Sequence, residues 1–153
     1  MILVQSPQGY ILRLMLGEDL HATLTAFCEQ HHIRAGIFHG IGAVQRLTLA
    51  FYHLGRKEYQ DTSETEDLEI VGLTGNVAML DGKPFLHIHG VFSDRYYRVL
   101  GGHVRSAIVG ATCEVYLTPF DTVVRREHDD VTGLKLCAFD PPADGSPDAH
   151  QQP

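Results

Sequence analysis

The sequence predicts an α+β fold, with one main amphipathic helix packed on a largely antiparallel sheet, and three observations carry that expectation. A single stretch near the N-terminus, Leu16 to Cys28, repeats apolar residues at helical spacing. After Arg34 the apolar residues fall instead into short β-favouring runs, separated by glycines or an acidic loop. Among those runs, Leu80-Asp-Gly-Lys83 marks a two-residue hairpin, because Asp-Gly tolerates the positive φ such a turn needs at both central positions. One helix on antiparallel strands is a standard layer arrangement, and 153 residues suffice for one such domain with a hydrophobic core.

Tyr10 to Leu16 opens the series as a strand, apolar and β-favouring apart from Arg13. Gly17-Glu18-Asp19 then places acids at a helix start, where the macrodipole favours them. Leu16, Leu20, Leu24, Phe27 and Cys28 share one face over about four turns, and His31 and His32 close the helix at the end that favours positive charge. Arg34 to Val44 is an apolar run broken by Gly36, Gly40 and Gly42. It is not a dinucleotide loop, since the residues after Gly42 read as strand where a phosphate cradle needs a helix; it reads as strand and turn with closely approaching backbones. Leu47 to Leu54 is the next strand, and Leu68 to Thr74 and Asn76 to Leu80 come after the acidic loop Asp61 to Asp67. The Asp-Gly turn sets Pro84 to Val91 antiparallel to Asn76 to Leu80, and Ala111 to Thr118, Thr122 to Arg126 and Leu134 to Phe139 complete the strands. Asp140 to Pro153 is proline-rich and polar and is expected to be a disordered tail, leaving residues 1–139 as the folded domain.

Composition narrows function before any motif does. Hydrophobic residues make up 44% of the chain and charged residues 20%, an ordinary globular balance. No apolar run approaches the roughly 18 residues of a membrane span, and no basic-then-apolar leader opens the sequence, so a cytoplasmic location is expected. The formal net charge of -7 opposes a sequence-independent grip on nucleic acid, which depends on Lys and Arg neutralising phosphates. Cys28, Cys113 and Cys137 are odd in number and far apart, which fits buried free thiols rather than a disulfide framework or a cysteine-rich zinc module. Nucleophile-elbow, P-loop and Cys-x-x-Cys patterns do not occur.

Ten histidines are many for this length, and three of them lie between Pro84 and His103. His87 and His89, two apart on a strand, leave the same face together with Phe85 and Val91. His103 comes after a turn and Gly101-Gly102, whose missing side chains permit the backbone approach that lets a third imidazole reach that face. Three neutral imidazoles with an open fourth position commonly hold zinc, and iron, nickel or manganese also accept imidazole. The other reading of the His-x-His pair is two half-buried polar residues satisfied by backbone groups. Glu114, on the strand after the histidine region, is the candidate catalytic residue, a general base toward water or a fourth ligand, or else a paired or exposed strand carboxylate. Arg95 and Arg98 either grip an anion bidentately or lie in water. His39 either faces the same cavity or caps a turn. His21, His31, His32, His53, His128 and His150 share no ligand spacing and read mostly as solvated.

Taken in order, Tyr10-Ile-Leu-Arg-Leu, Gly17-Glu-Asp-Leu, Ala35-Gly-Ile-Phe-His-Gly-Ile-Gly-Ala-Val44, Leu73-Thr-Gly-Asn76, Asp81-Gly-Lys-Pro84, His87-Ile-His89, Gly101-Gly-His-Val104 and Thr112-Cys-Glu-Val115 resemble the PPC ("plants and prokaryotes conserved") domain in its stand-alone prokaryotic form, over about residues 3 to 139. That form is often labelled DNA-binding. The resemblance implies an α+β fold with a twisted antiparallel sheet, assembled as a homotrimer with glycine-rich and sheet-edge regions at subunit contacts. Plant relatives precede the domain with an AT-hook; the sequence here contains no Arg-Gly-Arg-Pro segment, and its acidic charge is unlike that of a direct DNA binder. Prokaryotic members with His-x-His and Gly-Gly-His are similar to metal-binding proteins, and the same fold neighbourhood contains acetolactate decarboxylase, which holds zinc with three histidines. This implies His87, His89 and His103 as ligands without carrying over that enzyme's substrate. Tyr96-Tyr97 stands where small residues are more usual in that turn. The expected function is a metal-dependent lyase- or hydrolase-like activity on a small molecule, the alternative being a non-enzymatic, DNA-associated regulatory protein acting through its trimer.

Overall fold

The computed structural model describes residues 1–138, in the order β1 Ile2–Ser6, β2 Gly9–Met15, α1 Leu20–Gln30, β3 Gly36–His53, β4 Glu58–Glu64, β5 Leu68–Leu80, β6 Lys83–Ser93, β7 Val99–Pro119, β8 Arg125–His128 and β9 Lys135–Ala138. The expected tail from Asp140, like Phe139, lies outside the described residues.

The α+β expectation is corrected: 66% of the described residues are strand and 8% are helix, and the strands join one mixed sheet, so the fold is mostly β. The sheet is mixed because β8 meets β5 in parallel at Met79 and Arg125, while every other strand pairing among the described residues is antiparallel. The helix forms where the apolar spacing places it, capped by the Asp19 carboxylate accepting from the Ala22 amide at 2.8 Å. Leu20, Leu24, Phe27 and Cys28 are buried, but Leu16 precedes the helix and is exposed. The helix thus covers one flank of a core built mainly by strand residues such as Phe38, Ile88, Phe92, Val104 and Val115.

The strand content was under-read for a physical reason. β1 and β4 are exposed along nearly their whole length, so neither shows the alternation that identifies a half-buried strand. β4 is held as an edge strand by its ladder to β3, from Leu47 opposite Glu64 to His53 opposite Glu58. In β3 the glycines that read as a turn are instead absorbed by a register shift between Gly40 and Gly42.

Two strands are long enough to serve two sets of neighbours. The start of β7 pairs with β6 and with the second half of β3, and its end pairs with β2 and the first half of β3. Since β3 also pairs with β5, and β5 with β6, the circuit β3–β5–β6–β7–β3 closes through backbone ladders. That closure sets the beginning of β7 beside β6 as its hydrogen-bonded neighbour. No helix among the described residues is long and apolar enough to cross a membrane.

Cys28 and Cys113 are buried, and burial pushes both thiols up to about 12; Cys137 is only partly buried. A thiol reagent at neutral pH is therefore expected to modify Cys137 alone in the folded protein and all three cysteines in denaturant, counted by mass spectrometry. Rapid native labelling of Cys28 or Cys113 would contradict this packing.

Candidate metal centre

In β6 the alternation is clean: Leu86, Ile88 and Phe92 enter the core, while Phe85, His87, His89 and Val91 occupy the opposite face. Asp81 and Gly82, with φ of 50° and 77°, make the tight turn and pair Leu80 with Lys83. Counting back from that turn fixes Asn76 beside His87 and Thr74 beside His89.

The third imidazole arrives from the other side. His103 stands directly opposite His89 across the β6–β7 ladder, and opposite Ala50 of β3. A Cβ at Gly101 would lie 2.8 Å from the Gly90 carbonyl oxygen, so the approach of these two strands depends on glycine there. The ring centroids form a nearly equilateral triangle, 5.0 Å between His87 and His89, 5.3 Å between His87 and His103, and 5.4 Å between His89 and His103. One ring nitrogen from each lies within 4.8 Å of the others.

These residues fit a transition-metal ion. Nitrogens bound tetrahedrally to zinc are roughly 3.3 Å apart, so small side-chain rotations close the triangle. His103 Nδ1 is buried and has no hydrogen-bond partner, an orphaned atom for which coordination of the ring gives a reason. Burial, reinforced by the neighbouring His87, His89 and Arg105, pushes the His103 pKa down to about 4. Burial, then Arg126 and His89, also lowers that of His87. At neutral pH both rings are therefore uncharged, as a metal ligand must be. Among the described residues the group is three imidazoles with no carboxylate, which suits zinc, iron or nickel better than magnesium or calcium, which take oxygen ligands.

Beside the triangle opens a cavity of about 240 Å³ lined by His87, His103, Tyr59, Phe85, Arg105 and Arg126 and by residues 133–136. Arg126, on β8, donates to the Asn76 side-chain oxygen at 2.9 Å, to the Lys135 carbonyl at 2.6 Å and to His87 Nδ1 at 3.3 Å. Arg105 lies over the Tyr59 ring at 4.7 Å and reaches Asp61 at 3.3 Å.

The other residues singled out in the sequence do not join this group. Glu114 sits eleven positions beyond His103 on β7, opposite Arg13 and Ile41, and is not among the cavity-lining residues. His39 lies on the same sheet face but two strands from His89, with Thr74 between, and stacks on Tyr116 at 5.4 Å. Arg98 closes the β6–β7 turn on Asp94 at 2.6 Å, and both Arg95 and Arg98 lie over Tyr96. His21 is not simply solvated, since its Nδ1 is buried without a partner, and His31 packs against Phe27 at 4.2 Å. Sequence reasoning missed Arg126, Arg105 and Tyr59. Asn76 was legible beside His87 through the hairpin register, but nothing in Arg125-Arg126 distinguishes the arginine that turns inward.

A protein of Bacteroides thetaiotaomicron, named as a candidate DNA-binding protein, superposes with a TM-score of 0.87 at 30% identity, covering 90% of this chain and 96% of that one. A metal-containing protein of Archaeoglobus fulgidus superposes with a TM-score of 0.81 at 37% identity, covering 91% and 99%. The bifunctional protein GlmU of Synechococcus is 29% identical over 146 residues, 94% of this chain; the chain spans about a fifth of that protein's length, 22%. The profile of the Plants and Prokaryotes Conserved (PCC) domain, the PPC domain of the resemblance, matches residues 2–121, and the chain therefore belongs to the Plants and Prokaryotes Conserved domain family.

Proposed function

We propose that this protein holds a divalent transition metal, zinc in the first place, on His87, His89 and His103, and uses it in a lyase- or hydrolase-like reaction on a small molecule. The observation that carries the reading is the convergence of three imidazole nitrogens within 4.8 Å of one another at the edge of a 240 Å³ cavity. The metal-containing relative from Archaeoglobus fulgidus supports it. A metal bound there polarises a carbonyl or activates water. The chain's own contribution is positional: two ladders hold the imidazoles on one face, Asn76 holds Arg126 beside His87, and Tyr59 and Phe85 line the cavity. Glu114 has no assigned role in this scheme.

The protein is proposed to work in the cytoplasm as a homotrimer. A second reading, DNA association without catalysis, draws on the naming of the Bacteroides relative. The net charge of -7 weighs against direct binding. Elemental analysis of protein purified without an affinity tag tests the first reading, with about one equivalent of zinc, iron, nickel or manganese per chain expected on the open three-ligand pattern. Less than about a tenth of an equivalent, after exposure to each metal, would contradict it. Mobility-shift assays at low and physiological salt test the second, and binding that persists at physiological salt would favour it over the first.

A further inference from the structure

The cavity beside the histidines has the opposite electrostatic character to the protein around it. The chain carries a formal charge of -7, yet among the described residues the cavity is lined by Arg105, Arg126 and Lys135 and by no carboxylate. Arg126 is the unusual member. It is 8% exposed, and among the described residues it has no carboxylate partner: it hydrogen-bonds to an amide, a carbonyl and an imidazole and lies over the Phe85 ring at 5.3 Å. Buried charges are ordinarily paired, and its Nε has no hydrogen-bond partner either.

The contact with His87 sharpens this. Arginine only donates, so His87 Nδ1 accepts from Arg126, and in a neutral ring the proton then sits on Nε2. Neither nitrogen is left with a free lone pair. Cation binding at Nδ1 takes the lone pair that Arg126 uses, and binding at Nε2 requires the proton to move to Nδ1, which then opposes another donor. Either way the Arg126–His87 hydrogen bond ends when the ring is a ligand. A guanidinium N–H is then released next to a second positive centre, and an anion shared between the two relieves both.

We propose that the cavity binds a small organic carboxylate, its negative charge shared between Arg126 and the cation site, and its apolar body held against Tyr59 and Phe85. This deepens the metal-site reading and rests on it. The volume, about 240 Å³, is below the roughly 300–1,000 Å³ of pockets for drug-sized ligands and sets the ligand's size class. The charge class comes from the donors. With the His87 contact released, Arg126 still spends two of its five N–H groups on protein, and the three that remain suffice for a bidentate carboxylate but are few for the oxygens of a phosphate dianion. The Arg126 and residue 133–136 side of the cavity lies beyond the matched residues 2–121, so this ligand preference is not contained in the family match.

Calorimetry on the metal-loaded protein tests the proposal with benzoate, 3-methylbutanoate and lactate, each against its neutral amide, and with phenylphosphonate. At least one carboxylate is expected to bind one per chain, about tenfold or more tighter than its amide and no weaker than the phosphonate. Arg126→Gln is expected to weaken that binding about thirtyfold or more, and Arg105→Gln about three- to tenfold, with metal content unchanged. Arg105 is exposed, so its variant keeps the fold even if Arg126→Gln loosens β8 and β9. Amides binding as well as carboxylates, a phosphonate binding more tightly, no carboxylate binding at about 10 mM, or a folded Arg126 variant with unchanged affinity would each overturn the proposal. So would unchanged affinity in Arg105→Gln should the Arg126 variant not fold. Metal content measured on the same samples separates the two readings. Absence of metal defeats the cation site, whereas metal bound without carboxylate preference defeats only this inference.

Discussion

Alanine at both His87 and His89 is expected to lower divalent-metal affinity by at least about a thousandfold while leaving the fold intact, since it deletes two of three ligands. Removing an outer partner of a metal ligand commonly costs about 10- to 100-fold, and removing a ligand itself costs more. The fold survives because both side chains stand on the outer face of β6 and neither belongs to the buried core, which Leu86, Ile88 and Phe92 serve from the same strand. Alanine in place of each costs no more than about 1 kcal/mol of strand preference. Competition against a chelator of known affinity, with circular dichroism as the check on folding, reads both quantities. A double variant that takes up metal as tightly as the parent would show that the triangle of rings is a packing arrangement, with the imidazoles satisfied by Arg126, by backbone or by water.

The second large effect is on stability. Gly42→Ala is expected to destabilise the protein by about 3 kcal/mol, lowering the melting temperature by roughly 6–12 °C. Gly42 has φ of +146°, a region that side-chain-bearing residues rarely adopt, at the register shift where β3 changes its pairing with β5 and β7. A Cβ there would collide with the Thr112 carbonyl oxygen and stand 2.7 Å from Cys113 Cα. Neither can retreat easily, because that part of β7 is also laddered to β2, with Leu14 opposite the buried Cys113. Gly72→Ala is the matched control, since a Cβ at Gly72 meets nothing within 4 Å and its φ is ordinary. It is expected to change stability by less than about 1 kcal/mol. Thermal melts of the two variants side by side decide it, and equal melting temperatures would mean that the β3 register shift is not under this steric constraint.

These two sites also show what the sequence made legible and what it did not. The Asp81-Gly82 turn is a local signal with one dominant solution, and from it the register of the hairpin follows, including the shared face of His87 and His89. Gly101 signalled close approach correctly, but that His103 would land directly opposite His89 depends on the length and course of β7, which no local pattern encodes. The helix was legible because its buried side is apolar and its outer side polar. β1 and β4 were not, because a strand with no buried face has no alternation to read; together with the first half of β7, Val99 to Gly110, which was also not read as strand, they make the fold mostly β where α+β was expected. Arg126 lies furthest from sequence inference. Its inward orientation comes from a short strand paired to β9 and touching β5 at one point, a tertiary event with no mark in Arg125-Arg126 itself.

The central claim is that one cation is held jointly by His87, His89 and His103. X-ray absorption at the metal edge of the zinc-loaded protein tests it most directly. The expected spectrum has three imidazole nitrogens at about 2.0–2.1 Å, with the multiple-scattering pattern of intact rings, and one further oxygen or nitrogen neighbour in the fourth position. A first shell containing sulfur at about 2.3 Å, or oxygen neighbours without imidazole scattering, would place the metal elsewhere and contradict the account.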